Sequence, residues 1–326
     1  MIKIKLLTTD KQEQTQPLLR KGVKENCEKY GIKFVDSNPD VFLVHSDLMG
    51  EENKDFLLDK NNPYIFMERI DCASLGRGYR DQLFRDNCLG VVKNTVFRDK
   101  SLYNKALQNN RYHTRLFAEK IHSPLIDLTK QTPLGITELD KIRTTGNTFG
   151  LYTQLKQAAD TRVDFTLKRD IDISFFGTTE YANALVQKHR LDCIAQLKTL
   201  KSSFSLNRIY GKDRYIKELL NSKIVVSPWG YGEACFRDFE ALYLGCVLLK
   251  PKTSYVTGAQ DIYINNKYYV ECEIDFSDLH EKVDMILQNW DNFMDMRVDS
   301  KNMLIEWWDI DKYSKYTTSE LKALIK

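Results

Sequence analysis

No stretch of this 326-residue sequence approaches the ~18 consecutive apolar residues that a membrane helix needs. The opening Met1-Ile2-Lys3-Ile4-Lys5 also lacks the apolar region and small-residue cleavage site of a secretory leader. The expectation is a cytoplasmic protein with no integral membrane segment. Histidine is scarce, with five in all, and none stand in an H-x-H or H-E-x-x-H pattern. The seven cysteines are odd in number and none share the short spacing of a zinc knuckle. No metal ligand is assigned on this basis, and the thiols are expected to be reduced and mostly interior. With only 15 Gly and 7 Pro, the chain is neither collagen-like nor low-complexity. Nor does one sign of charge dominate: 48 Lys and Arg oppose 45 Asp and Glu, and a net +3 is too near balance to declare a nucleic-acid binder.

What is present is the material of a core, 42% hydrophobic and 11% aromatic, in a chain longer than the ~100 to 200 residues of one ordinary domain. Ile2 to Leu7 alternates apolar residues with lysine, and a helical pattern follows from Gln16 to about Tyr30, ending at Gly31. Short apolar runs recur at 33–35, 41–45, 64–67 and 89–92 with charged, helix-compatible stretches between them. Strands alternating with helices predict a mostly parallel sheet covered on both faces. Breakers concentrate between Ser123 and Asp164, and a second rhythm starts at Ile171: a strand to Phe176, a helix from Tyr181 to Leu200, a candidate strand at 203–210, a helix from Asp213 to Asn221, and strands at 223–227 and 246–249. From Ser277 onward the pattern is helical. The organisation predicted is a first α/β domain over 1–165, a second over 166–300 and a helical segment over 301–326. Two such units in series place a ligand in the crevice at the carboxyl ends of their strands.

The segment from Ser222 to Pro251, SKIVVSPWGYGEACFRDFEALYLGCVLLKP, is the most informative. A strand ends at Ser227-Pro228, and Gly230 and Gly232 permit a tight loop whose amides can approach a ligand. The next helix aims its N-terminus at that loop, as an anion site requires. Arg237 and Glu240, three apart, share one face of that helix. A guanidinium there can neutralise a diphosphate, and a carboxylate can accept from two vicinal ribose hydroxyls. The spacing alone fits a surface Arg–Glu ion pair equally well.

Strand, glycine loop, R-x-x-E-A, Gly-Cys and a returning apolar strand resemble the donor-binding segment of GT-B glycosyltransferases, particularly group-1-like and exostosin-like members. The resemblance implies two Rossmann-like domains facing each other across a cleft. It implies that Glu240 holds the ribose of a nucleotide-sugar, with Arg237, Gly230 and Gly232 at its phosphates. Retaining members show E-x7-E, whereas Glu233 and Glu240 are separated by six residues, which leans towards inversion and leaves Glu233 as a further donor-side candidate. The run from Ile171 to Thr178 is similar to the first strand and phosphate loop of the family's second domain, implying Gly177 and Thr178 at the donor and Arg190 as the arginine of the next helix. A solvated helix position would explain Arg190 as well. Tyr210-Gly211-Lys212 stands where a base-binding loop would lie, which makes Tyr210 a donor candidate; a plain turn is the alternative.

Inverting transfer to a hydroxyl needs a general base on the acceptor side and positive charge at the leaving diphosphate. The aromatic-apolar run from Tyr64 to Met67 ends in Glu68-Arg69-Ile70-Asp71, and the phage DNA β-glucosyltransferase, another GT-B enzyme, is similar in ending such a strand in its catalytic carboxylate. By that resemblance Glu68 is the positional match and Asp71 the alternative. Residues 69–120 hold 11 Lys or Arg against five acids, a local +6 that leaves −3 for the remainder, interleaved with Tyr79, Phe84, Phe97, Tyr103, Tyr112 and Phe117. Such a stretch suits an anionic acceptor, whether acidic glycan, lipid-linked glycan or DNA, and also suits a solvated helix face. Asp170-Ile171-Asp172 and Asp309-Ile310-Asp311 match a D-x-D tripeptide formally, but the first lies at the wrong end of its strand, and neither is assigned a metal.

The function expected is transfer of a sugar from a nucleotide-diphosphate sugar, a UDP-sugar foremost, to a hydroxyl acceptor in surface glycan synthesis, with inversion and without a separate cofactor. A phage-type transfer to hydroxymethylated DNA bases is the alternative, and a nucleotide- or sugar-binding protein without catalysis is a second one.

Overall fold

The alternating Ile2–Leu7 forms strand β1, and the parallel strands beside it build the first sheet. The computed structural model describes residues 1–9, 16–48, 57, 59–68, 71–75, 81–105, 111–124, 135, 138–144, 149–206 and 211–326. Further strands of the first half are β2 (Ile32–Phe34), β3 (Val41–His45), β4 (Tyr64–Met67), β5 (Cys88–Lys93), β6 (Thr95–Phe97) and β7 (Ile142–Thr144). All but β6 join in the order β2-β1-β3-β4-β5-β7, every neighbour parallel, with Leu6 opposite Leu43 and Phe66 opposite Val91. All four residues of β4 are buried, as a strand covered on both faces requires. The second sheet is also wholly parallel, in the order β13-β11-β10-β8-β9, from β8 (Ile171–Ser174), β9 (Phe204–Ser205), β10 (Ser222–Val226), β11 (Val247–Pro251) and β13 (Val270–Cys272). Between its last two strands in the chain lies β12 (Val256–Gly258), which pairs antiparallel with β6 of the first half. The protein thus consists of two Rossmann-like α/β halves, the architecture that the resemblance implies.

The helices are α1 (Val23–Cys27), α2 (Tyr112–Lys120), α3 (Lys156–Asp160), α4 (Ala184–Leu197), α5 (Lys212–Leu220), α6 (Phe236–Tyr243), α7 (Leu279–Gln288), α8 (Met294–Glu306) and α9 (Ile310–Ile325). The helix expected over 16–30 is broken: Pro17 opens a 3-10 turn, Gly22 takes φ +82°, and only five residues of α1 are regular. The expected start of the last segment, residue 301, falls inside α8, where Lys301 Nζ donates to Thr161 O (2.9 Å) and Tyr243 O (2.7 Å). The chain crosses back to the first half after α8. Asp309 caps α9 by accepting from Lys312 N (2.8 Å), and α9 lays Tyr313, Thr317, Leu321 and Leu324 into the first half's core. Among the described residues no helix is long and apolar enough to cross a membrane.

Both sheets reverse direction of growth at one place. In the second sheet β9 lies on one side of β8 while β10, β11 and β13 follow on the other. A crevice opens at such a switch point, beyond the carboxyl ends of β8 and β10.

Candidate functional site

Beyond β8 the chain runs through Phe175, Phe176, Gly177 and Thr178, and beyond β10 through Trp229 to Ala234 before α6 begins. Two arginines converge on these loops from helices. Arg190 of α4 donates from Nε to Trp229 O (2.9 Å) and from Nη1 to Thr178 O (2.8 Å), with its guanidinium 4.7 Å from the Tyr181 ring centroid. Arg237 of α6 donates from Nε to Phe176 O and lies 4.9 Å from the Phe175 ring centroid. A Cβ on Gly177 would stand 2.0 Å from Arg237 Nη2, so glycine there admits the guanidinium against the backbone. Both arginines are buried, at 3% and 7% exposure, and among the described residues their bonds go to carbonyl and hydroxyl oxygens with no carboxylate in ion-pair contact. Burial, and then the charge of Arg237, hold the Arg190 pKa below its ordinary value. Two buried cations near each other, with no ion-pair partner among the described residues, favour a bound anion.

Glu240 stands on the same face of α6. Its Oε2 accepts from Tyr215 OH at 2.5 Å, and burial pushes its carboxyl above the usual range despite that bond and the nearby Arg237. Asp238, pointing the other way, fixes the start of the helix: Oδ2 accepts from Cys235 N (3.0 Å) and Tyr263 OH (2.6 Å), and Oδ1 from Ser227 Oγ (2.5 Å). Lys250 Nζ, 3.1 Å away, balances its charge.

Arg190, Arg237 and Glu240 face one cavity of about 510 Å³ between the halves. Of the residues singled out in the sequence, Thr178, Arg190, Gly230, Arg237, Glu240 and, from the first half, Asp71 line it. Gly177 lies behind Arg237, and Gly232 behind the cavity wall, where a Cβ would meet Asp71 O at 1.8 Å. Glu68 does not reach the cavity: it is fully buried under the loop and paired with Lys93 of β5, whose Nζ also donates to Ser74 O (3.1 Å). Glu233 is fully buried as well, accepting from Ala73 N at 2.9 Å. Tyr210 lies outside the described residues. The sequence reading missed Tyr152, Gln154, Phe176, Tyr181, Tyr215 and Tyr231, which line the cavity beside Ala234, Cys235 and Phe236 at the start of α6. Their signal was weak: Tyr215 lies within α5 and the other aromatics in connecting segments, where an aromatic reads the same whether it faces a cleft or the core.

The basic aromatic stretch is organised differently from a stacking surface. Phe97, Tyr103 and Phe117 are interior, and Phe97 packs on Tyr103 and Tyr112 at centroid distances of 4.7 and 5.1 Å; Phe84 is exposed. Of its cations, Lys93 pairs with Glu68, Arg98 with Asp261, Arg115 with Glu119 and Lys120 with Glu273. Arg69, Arg77, Tyr79 and Arg80 lie outside the described residues. The D-x-D tripeptides have structural partners: Asp172 bonds Lys223 and Ser203, and Asp311 bonds Tyr30 and Asn26.

No family model and no curated protein matches the chain. Among solved structures it is similar to a mutant of S. aureus TarM in complex with fondaparinux, alpha-GlcNAc-glycerol and UDP, at 13% identity and a TM-score of 0.47 over 87% of this chain and 55% of that one. It is similar to the pneumococcal O-GlcNAc transferase GtfA in complex with UDP and GlcNAc, at 12% identity and a TM-score of 0.46 over 87% of this chain and 57% of that one. An alpha-glucosyltransferase in complex with UDP and a 13-mer DNA containing a HMU base is matched at 9% identity and a TM-score of 0.41, over 100% of both chains. The chain therefore spans little more than half the length of the first two.

Proposed function

We propose that the protein is a glycosyltransferase that takes a sugar from a nucleoside-diphosphate donor, a UDP-sugar foremost, and delivers it to a hydroxyl of a surface glycan. The observation that carries this reading is the pair of buried guanidiniums of Arg190 and Arg237, without an ion-pair partner among the described residues, on one cavity with the Glu240 carboxylate at the switch point of the second sheet. The arginines match a diphosphate, and Glu240, released from Tyr215, matches the ribose hydroxyls. In this reading the arginines supply the positive charge for the leaving diphosphate, so no metal or separate cofactor is required.

Asp71 lines the same cavity from the first half, and in this reading it replaces the fully buried Glu68 as the base that accepts the hydroxyl proton, with inversion as the proposed outcome. The interior position of Phe97, Tyr103 and Phe117 favours a glycan acceptor over a DNA one.

Isothermal titration of UDP against uridine tests the reading. Each charge-assisted hydrogen bond contributes about 1.5–3 kcal/mol, so Arg190→Ala and Arg237→Ala should each weaken UDP roughly 10- to 100-fold and leave uridine unchanged. Glu240→Ala should weaken both. Wild-type protein that fails to bind UDP would end the donor assignment; UDP binding with no turnover of any UDP-sugar would leave a binding protein.

A further inference from the structure

The loop that carries Asp71 into the cavity is tied down at three points, and one of them belongs to the other half of the molecule. Within the first half, Lys93 Nζ donates to Ser74 O at 3.1 Å and Tyr112 N donates to Ser74 Oγ at 2.9 Å. From the second half, Glu233 Oε2 accepts from Ala73 N at 2.9 Å, two residues from Asp71. Its other oxygen accepts from Tyr255 OH at 3.4 Å and stands 3.6 Å from His113 Nδ1. Burial opposes ionisation of Glu233, but His113 and the Ala73 amide outweigh it and keep its carboxyl below the usual range. The preceding Gly232 lies flush against Asp71 O, where no Cβ fits. A fully buried carboxylate that reaches no cavity cannot touch a substrate, yet it is costly to bury without a compensating set of partners. Those partners come from α2, from the loop after β4 and from the residue before β12.

We propose that Glu233 is a positioning residue: it fastens the Asp71 loop of the first half to the glycine loop of the second, and so sets where the acceptor-side carboxylate stands relative to the Arg190–Arg237 pair. Seven positions before Glu240, with six residues between them, it lies fully buried behind the cavity wall instead of at the sugar. The inference rests on the reading of Asp71 as the acceptor-side base, but the fastening itself can be measured apart from any donor.

Cys72, between Asp71 and Ala73, is 3% exposed and reports on the loop; Cys193, fully buried in the second half's core, reports on global opening. The experiment measures N-ethylmaleimide labelling of both thiols by mass spectrometry, with UDP affinity by titration, in the full chain and in Glu233→Ala and Glu233→Gln. Local opening raises the rate only where protection is lost. The expected result is a rise of about tenfold or more in Cys72 labelling in Glu233→Ala with Cys193 unchanged, partial rescue in Glu233→Gln, whose amide oxygen can still accept from Ala73 N, and UDP affinity within about threefold of wild type. Cys72 protected as in wild type, both thiols rising together, or UDP binding lost as in Glu240→Ala would each overturn the proposal. Failure of the wild type to bind UDP would remove the donor reading while the Cys72 contrast still decides the fastening.

Discussion

Two glycines of the site are required for different reasons, and a single methyl group separates them. At Gly177 an added Cβ would meet the Nη2 of Arg237 at 2.0 Å, the far end of a side chain that can swing away. At Gly232 it would meet Asp71 O at 1.8 Å and Asp71 C at 2.1 Å, backbone that can move only by separating the loops of the two halves. Gly177→Ala is therefore expected to keep the thermal midpoint near wild type while weakening UDP about tenfold through the displaced guanidinium. Gly232→Ala is expected to cost about 1–3 kcal/mol of stability, read as a lower urea midpoint, as overpacked sites do. If both substitutions act alike on stability and on UDP, the distinction between movable and fixed neighbours is wrong. The same scale shows what the sequence could yield. Arg237 and Glu240 were legible because three-residue spacing on a helix puts both on one face whatever surrounds it. The choice between Glu68 and Asp71 was not, because both follow the same strand. Lys93, a neighbour on β5 and 25 residues away, draws Glu68 into a buried pair and leaves Asp71 for the cavity.

Among the elements, the parallel strands were readable as apolar runs, while the helix expected over 16–30 is broken at Pro17 and Gly22, breakers that the apolar spacing on its own passes over. Its α1 remnant is held in place by α9, whose second residue, Asp311, accepts from Tyr30 OH (2.5 Å) and Asn26 Nδ2 (3.1 Å). Those bonds, that of Tyr30 foremost, hold the Asp311 carboxyl below its ordinary value. A carboxyl with a lowered folded pKa contributes stability in full above its unfolded value, about 3.9, and loses it as pH falls through the folded value. Asp311→Asn should accordingly be less stable than wild type at pH 6 in urea unfolding, with the gap closing as pH drops below about 4. A gap that persists at low pH would mean that the carboxylate's charge is not what docks α9. The strands β6 and β12 illustrate the limit of sequence reading at this scale: three residues each carry no period, and their pairing joins segments about 160 residues apart.

For the whole molecule, the near-neutral total conceals a division of charge that the fold uses. The basic excess of residues 69–120 meets acids of the second half, with Arg98 Nη2 2.9 Å from Asp261 and Lys120 Nζ 3.1 Å from Glu273. Arg98 does more than pair: it donates to both Asp261 oxygens and to the carbonyls of Ser254 (3.1 Å) and Val256 (3.2 Å), directly beside the β6–β12 ladder. Its own N donates to Tyr255 O at 2.8 Å, extending the ladder by one bond. The halves are thus joined by backbone pairing, a link that restrains widening of the cleft. Because the Arg98–Asp261 pair is partly exposed, its loss should cost only about 1 kcal/mol, too little to unfold the protein but enough to free the ladder's open end. Small-angle scattering should find the same radius of gyration with and without UDP in wild type. In Arg98→Ala the unliganded radius should be larger and should contract when UDP is added. A wild-type molecule that contracts on UDP as much as the variant does would show that the two halves swing freely and that the ladder does not restrain them.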